Sequence, residues 1–115
     1  MLLNEKKEHL EKYRSEKVKK YNSQKLREAI TGMGDLKTLD LMLGHGFDIN
    51  SKLEHGNTAA HISVSEGTHQ MMLDLVGRGA NVDNSNENGS TPLMVACELG
   101  KHEIVKSLVE LGASL

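Results

Sequence analysis

Apolar residues in the C-terminal part of this chain recur at spacings of three and four, the pattern of an α-helix with one buried face. Thr91 can cap the first such helix with its hydroxyl, and Pro92 suits the first helical position, where its missing N–H costs nothing. This helix should end near Gly100, because glycine readily takes the left-handed conformation of a C-terminal cap. A second helix follows at once and should end at Gly112; its apolar stripe consists of Ile104, Val105, Leu108 and Val109.

The same arrangement recurs along the chain with a period of 33 residues. Two independent series of glycines share this spacing: Gly34, Gly67 and Gly100, and Gly46, Gly79 and Gly112. Between the second and third units, the stretch from Asp83 to Ser90 is rich in Asn, Ser and Gly and should form a protruding, hairpin-like loop. One helix pair cannot bury its own apolar face, so neighbouring pairs must stack. The sequence therefore predicts an all-α solenoid of about three helix-turn-helix units.

The third unit resembles an ankyrin repeat, through GSTPLMVA at 89–96, GKHEIV at 100–105 and LVELGA at 108–113. The second unit is similar, but it has Ala59 where the family has proline. The first unit carries KLRE at 25–28 in place of the family's TPLH, and this polar start suits an N-terminal capping repeat. The resemblance implies an ankyrin-repeat domain over residues 23–115, with repeats at about 23–55, 56–88 and 89–115.

Residues 1–22 differ from the rest in charge and predict a separate, charged N-terminal helix. Its apolar stripe is thin and consists of Leu3, Leu10, Tyr13, Val18 and Tyr21. We expect this helix to cover the exposed end of the first repeat, as the terminal elements of repeat arrays do. The alternative is a basic surface for an acidic partner, a nucleic acid or a coiled-coil partner. Interspersed glutamates and the lack of full heptads count against the last two.

Composition restricts the class of protein further. With 37% apolar and 26% charged residues, the chain belongs among soluble folded domains, and no apolar run approaches the roughly 20 residues of a membrane span. Cys97 is the only cysteine, so a secreted protein stabilised by disulfides is not expected. We therefore expect a protein of the cytoplasm or nucleus that binds neither membrane nor nucleic acid. The sequence leaves its oligomeric state open.

The residues that could carry chemistry favour structural roles. Six histidines show neither the spacing of a helical zinc site nor cysteine partners: His9, His45, His55, His61, His69 and His102. In the family, a Thr-x-x-His arrangement such as Thr58 and His61 forms a hydrogen-bond network that ties loop to helix, and the resemblance implies that role here. Cys97 should be buried at the position of Val64, with no base beside it to make it a nucleophile. No enzymatic activity, metal or cofactor is therefore expected.

Asn50 has two interpretations. It follows Asp48 and Ile49 in a sequence that resembles the ankyrin loops modified by asparaginyl hydroxylases, although the second repeat has Asp83 at the equivalent position. Asparagine also commonly forms hydrogen bonds within its own turn. We favour this structural role for Asn50.

Ankyrin proteins usually bind partners on their concave side, through loop tips and exposed positions of the first helices. The resemblance carries this surface onto a set of residues that we call the concave strip: Glu54, His55, Asn57, Ser65 and Glu66 in repeat two, Glu87, Asn88, Ser90, Glu98 and Leu99 in repeat three, and Met33 and His45 in repeat one. The strip contains glutamates but no Lys or Arg, so we expect another protein with a basic or polar surface as partner. A merely solvated acidic face is the alternative.

The function that the resemblance implies is protein binding, as an adaptor or scaffold. The alternative is a regulatory or targeting ankyrin domain of a longer protein, enzymatic or not. An enzyme in its own right is disfavoured, because the sequence shows no set of polar residues that would converge on one site.

Overall fold

Three pairs of short helices make up the described part of the chain, which in this computed structural model covers residues 20–31 and 36–113. The helices are α1 (20–31), α2 (Leu36–Gly44), α3 (Ala59–Glu66), α4 (His69–Gly77), α5 (Pro92–Glu98) and α6 (His102–Glu110). One turn of 3-10 helix, Glu54–Gly56, lies in the loop between the first two pairs. These residues contain no strand, so the predicted succession of helix pairs is confirmed. None of their helices combines the length and apolar character that crossing a membrane requires.

Threonine caps fix the first turns of α4 and α5. Thr91 Oγ1 accepts a hydrogen bond from the Met94 amide at 3.3 Å, and Pro92 stands at the start of α5, as the sequence predicts. Thr68 Oγ1 accepts the Met71 amide of α4 at 3.0 Å in the same way. Each cap satisfies a backbone donor that the helix itself cannot pair.

The chain leaves each second helix through a left-handed glycine. At the end of α4, the amides of Gly79 and the residue after it donate to the carbonyl oxygens of Val76 and Leu75, each at 3.0 Å. The φ angle of Gly79 is 96°, and Gly46 and Gly112 have φ angles of 91° and 94° after α2 and α6. Any other residue would be strained in this conformation, which explains why glycine recurs at these positions.

Gly67 and Gly100 both end their helices as predicted, but they do so in different conformations. Gly100 has a φ of 69°, and nothing lies within 4 Å of the point that a Cβ would occupy. Gly67 is extended, with φ −100° and ψ −164°, and its Cβ would lie 2.7 Å from Ile30 Cγ2 and 2.9 Å from the Ser63 carbonyl oxygen. Glycine is therefore needed at position 67 because α1 packs directly against it. Gly34 lies outside the described residues.

The apolar core is shared between neighbouring helix pairs. One cluster combines residues of repeats one and two, among them Leu26, Ile30 and Leu39 with Ile62, Met71 and Leu75. The other combines residues of repeats two and three, among them Val64 and Met72 with Leu93, Ala96, Ile104 and Leu108. Full burial of a side chain of this size contributes about 1.5–3 kcal/mol. Stacking of neighbours therefore supplies the core that no single pair contains, and Met71 and Met72 are buried within it.

Among the described residues, two ion pairs connect repeat one to repeat two at the surface. Arg78 Nε lies 2.7 Å from Asp40 Oδ1, and Arg27 Nε lies 2.6 Å from Glu66 Oε2. The hydrogen bond from Arg78 lowers the pKa of the Asp40 carboxyl below its ordinary value. Because these pairs face water, they define how the repeats align more than how strongly they adhere.

Cys97 is exposed, so the prediction that it is buried is wrong. Its equivalent in repeat two, Val64, is fully buried in the cluster to which α5 contributes. No helix in the described part of the chain packs over the corresponding side of α5. The prediction was wrong because it assumed that another repeat packs against repeat three, as repeat three packs against repeat two.

The predicted N-terminal helix covers residues 1–22, of which 1–19 lie outside the described residues. Residues 20–31 form one uninterrupted helix, so the boundary predicted after residue 22 falls within α1. Ser23 of this helix is buried, and its Oγ accepts a hydrogen bond from the Glu54 amide at 3.4 Å. The N-terminal part of α1 therefore contacts the loop that leads into repeat two.

Replacing Gly67 with alanine should destabilise the chain by roughly 1–3 kcal/mol, because the new methyl group overlaps Ile30 and the α3 backbone. Gly77→Ala is the matched control, since nothing lies within 4 Å of a Cβ at that position. Alanine near this helix end should be neutral or stabilising by about 0.5–1 kcal/mol. Urea unfolding followed by helical circular dichroism measures both effects. Equal stabilities of the two variants would contradict the close approach of α1 to Gly67.

Candidate functional site

His61 joins repeat two to the loop of repeat three. Its Nδ1 accepts the Thr58 amide at 3.1 Å, and its Nε2 lies 2.8 Å from the Ser90 carbonyl oxygen. Because an amide donates to Nδ1, the ring proton is on Nε2, which donates to Ser90. Burial lowers the pKa of His61 below its ordinary value, an effect that the bond to Ser90 partly opposes. The network that the family resemblance implies is therefore present.

The loop tips of repeats two and three bond directly to each other. The Glu87 amide donates to the His55 carbonyl oxygen at 3.0 Å, and Asn86 Nδ2 donates to Asn57 Oδ1 at 3.0 Å. His55 has a φ of 61°, a left-handed backbone conformation that residues other than glycine rarely adopt. These bonds between tips, together with the His61 network beneath them, hold the backbone of the two loops in one arrangement.

The members of the concave strip in repeats two and three lie in the loops and at the ends of α3 and α5, where the sequence predicts them. Most are exposed: Glu54, His55, Ser65, Glu66, Glu87, Asn88, Glu98 and Leu99. Asn57 and Ser90 are only partly exposed, because the Asn57 side chain bonds to Asn86 and the Ser90 carbonyl bonds to His61. Asn57 and Ser90 therefore help to hold the loops in place, whereas the other members expose their side chains to solvent.

Only some of the glutamates in the strip have a carboxylate that is not paired with a basic side chain. Glu66 is neutralised by Arg27, whose Nε lies 2.6 Å from its carboxylate. Among residues 20–31 and 36–113, no ion pair involves Glu54, Glu87 or Glu98, and all three are exposed. The strip therefore offers its free carboxylates at the loop tips and on α5.

A cleft of about 400 Å³ between Glu54 and α1 adds polar and basic side chains to one end of the strip. The α1 residues that line it are Lys20, Gln24, Arg27, Glu28 and Thr31. The predicted strip contains none of them. Gln24 precedes Asn57 by 33 residues, so the repeat period extended to the first helix indicates it. Lys20 and Arg27 precede Leu53 and Ala60, both apolar, by the same interval, and the period therefore gives no sign of a basic end.

Of the two predicted members from repeat one, the structure describes only His45, which does not extend the strip. His45 lies in the turn after α2 and lines a different cleft, between α1 and α2, together with Tyr21 and Leu41. In the 33-residue register His45 corresponds to Arg78, which follows a second helix and belongs neither to a loop tip nor to a first helix. Met33 lies outside the described residues.

Apolar side chains accompany the free carboxylates of repeat three. Leu99, a predicted member of the strip, is 52% exposed, and Met94 on α5 is 47% exposed. Met94 occupies the position that His61 holds in repeat two, and a thioether cannot form the bonds of an imidazole ring to both helix and loop. The methionine at position 94 could therefore have shown from the sequence alone that this side chain is not bound in the loop network.

Asn50 bridges repeats one and two, so the prediction that its side chain bonds within its own turn is wrong. Its Nδ2 donates to the Gly79 carbonyl oxygen at 3.1 Å, and its Oδ1 accepts the Asn81 amide at 2.7 Å. Asp48 closes the turn instead, because its Oδ1 accepts the Asn50 amide at 2.9 Å. The sequence of one turn could not show that the neighbouring turn supplies both partners.

His69 and Ser107 form the arrangement that most resembles a catalytic pair, with 2.6 Å between Nε2 and Oγ. No described residue bonds to Nδ1 of His69 to orient the ring, as a nucleophile-activating base requires. We interpret the contact as a link between α4 and α6. In the described part of the chain, no group of three or more His, Cys, Asp or Glu side chains is placed to hold a metal ion.

Lowering the pH below about 6.5 should destabilise the chain through His61. The folded state holds this ring neutral with a lowered pKa, whereas the unfolded chain takes up a proton near the ordinary pKa of about 6.5. The contribution of His61 to stability is therefore present above that pH and is lost as the pH falls through the folded-state pKa. The free energy of unfolding by urea, measured between about pH 7.5 and pH 5, tests this expectation.

Two variants separate His61 from the other histidines. His61→Gln should be less stable at neutral pH by about 1–3 kcal/mol, because it leaves buried polar groups without partners. It should also lose the part of the pH dependence that the buried imidazole causes. His102→Gln changes an exposed histidine on α6 and should retain both the stability and the pH dependence. An undiminished pH dependence in His61→Gln would assign the effect to another group.

Comparison with known proteins supports the architecture. The family model for ankyrin repeats matches residues 26–115 as three copies, which include helices α2 to α6, the second half of α1, both apolar clusters and the His61 network. A search of curated proteins gives no match. Ankyrin repeats are non-catalytic modules that generally bind other proteins. The chain therefore belongs to the ankyrin-repeat family.

Proposed function

We propose that this chain is an adaptor or scaffold domain that binds another protein through the loop tips and first helices of repeats two and three. The support specific to this chain is the fixed arrangement of its loops. His61 secures the loop of repeat three, and the bond between Glu87 and His55 joins the two tips. A surface that is ordered before binding loses little conformational entropy when a partner arrives.

The observation that carries the proposal is the set of carboxylates in the concave strip that are exposed and have no ion-pair partner among the described residues, namely those of Glu54, Glu87 and Glu98. Met94 and Leu99 expose apolar surface on the same repeat as Glu87 and Glu98. We infer a protein partner that presents basic side chains together with an apolar side chain. The same carboxylates repel phosphate groups, so we expect no nucleic acid at this surface.

The same surface would also serve a regulatory or targeting domain within a longer protein, enzymatic or not. The full coding sequence of the gene distinguishes this alternative from a free-standing adaptor, because the alternative requires a further domain. In both cases we expect the protein to act in the cytoplasm or nucleus, where its one cysteine stays reduced.

Neutralising the free carboxylates of repeat three should weaken the complex. For Glu87→Gln combined with Glu98→Gln, we expect the affinity for a partner recovered from extracts of the source cells to fall about fivefold or more. The affinity of the unaltered chain should decrease as salt rises from about 0.05 to 0.3 M, and that decrease should be smaller in the variant. Isothermal titration calorimetry with the purified partner measures both quantities.

Glu103→Gln combined with Glu110→Gln is the matched control. It removes the same charge from exposed positions on α6, outside the strip, and should leave the affinity nearly unchanged. Equal losses in the two double variants would show that overall charge governs binding. An affinity independent of salt in the unaltered chain would exclude an acidic contact surface.

A further inference from the structure

A second surface, separate from the members of the concave strip in repeats two and three, lies between α1 and α2. It is a cleft of about 420 Å³ whose apolar lining includes Leu41, Met42 and Phe47. Tyr21 and Leu41, which both line it, are 60% and 64% exposed, the two highest values among the large apolar side chains found exposed in the described residues. Exposed apolar groups gathered around a cleft are typical of a surface that another protein covers.

The repeat period shows what kind of structural element fits this cleft. In the 33-residue register, Thr38, Met42 and Phe47 correspond to Met71, Leu75 and Ala80 in repeat two and to Ile104, Leu108 and Ala113 in repeat three. The equivalents in repeats two and three are at most 8% exposed, because each belongs to a core cluster shared with the preceding repeat. In repeat one the same face lines an open cleft. Its shape is therefore that of a surface on which a helical element stacks.

Leu41 indicates how an element bound in this cleft would differ from a repeat of this chain. Its equivalent in repeat three is Ser107, whose hydroxyl lies 2.6 Å from Nε2 of His69 in the repeat before it. Leucine cannot form such a bond, and it leaves apolar surface exposed at this position. The element that stacks on repeat one should therefore bring an apolar side chain to Leu41.

Charge narrows the choice of occupant. Lys25 is the one Lys, Arg, Asp or Glu among the residues that line the cleft. Its Nζ lies 5.8 Å from the centroid of the Tyr21 ring and 3.5 Å from a carboxylate oxygen of Glu28, an exposed contact that is weak and easily exchanged. A complementary occupant carries a carboxylate. Residues 1–19, in which Lys and Arg outnumber Glu, match this cleft poorly in charge.

We propose that the α1–α2 cleft binds an amphipathic α-helix of another protein, with apolar side chains on Leu41, Met42 and Phe47 and an acidic side chain beside Lys25. The helix stacks on repeat one as each repeat of this chain stacks on the next. Because the cleft is separate from the concave strip, both surfaces can be occupied at the same time. The proposal does not depend on the partner proposed for the concave strip.

The test uses the full chain and a synthetic helical peptide with leucines along one face and glutamates along the other. We expect binding that shifts the NMR signals of Leu41, Met42 and Phe47. Lys25→Glu should weaken the peptide about fivefold, the order expected for an exposed ion pair. Leu41→Ser should weaken it roughly tenfold, because an apolar contact is lost. Leu111→Ser is the matched control, since Leu111 is 44% exposed on repeat three and its replacement should leave the affinity unchanged.

Several results would overturn the proposal. A peptide with lysines in place of the glutamates that binds equally well would remove the argument from charge. Signal changes confined to the concave strip would place the peptide at the other surface. Absence of binding would exclude an acidic helix as the occupant. Sedimentation that shows self-association lost in Leu41→Ser would make a second copy of this chain the occupant, and nuclear Overhauser contacts from residues 1–19 to Leu41 would make it the chain's own N-terminus.

Discussion

Each helix pair in this protein is too small to hide its own apolar face, and every other feature depends on that constraint. The core formed by the described residues consists of two clusters, and each draws its residues from two adjacent repeats. A buried side chain such as Leu75 therefore reports the presence of a neighbour as much as its own apolar character. Gly67 shows how close the neighbours come, since a single methyl group there would overlap Ile30. Stability accordingly belongs to the junctions between repeats.

Polar contacts at the same junctions control the loops. His61 bonds to its own helix start and to the loop of the next repeat, and Asn50 bonds to the turn that follows α4 in repeat two. These buried or half-buried groups act across the junction, whereas exposed groups such as Glu87 and Glu98 have no ion pair among the described residues. Side chains that hold the architecture and side chains available for recognition are therefore largely separate sets of residues.

The fold could be predicted almost entirely from the sequence, because glycines, helix caps and apolar stripes recur with a period of 33 residues. Features of a single repeat were predicted correctly, as for Thr91 and the helices around it. The errors concern surroundings. Cys97 was expected to be buried because it stands at the position of Val64 in the repeat, and Asn50 was assigned a bond within its own turn. The burial of Cys97 depends on whether another repeat packs against α5, and the side chain of Asn50 bonds to atoms of repeat two. Neither fact can be seen in the local sequence pattern.

The concave strip shows the same limit, since the residues of repeats two and three were located but the ion pair that neutralises Glu66 was not. Its partner Arg27 is 39 residues away, and sequence spacing gives no means of pairing the two.

The left-handed turn that closes each second helix has a consequence for how this chain can change over time. Gly46, Gly79 and Gly112 send the backbone out of α2, α4 and α6 with nearly the same φ angle. A block of one period, duplicated or deleted between two such glycines, would still deliver the next helix to its expected place. Gene rearrangement can therefore lengthen or shorten the recognition surface without new rules for local folding.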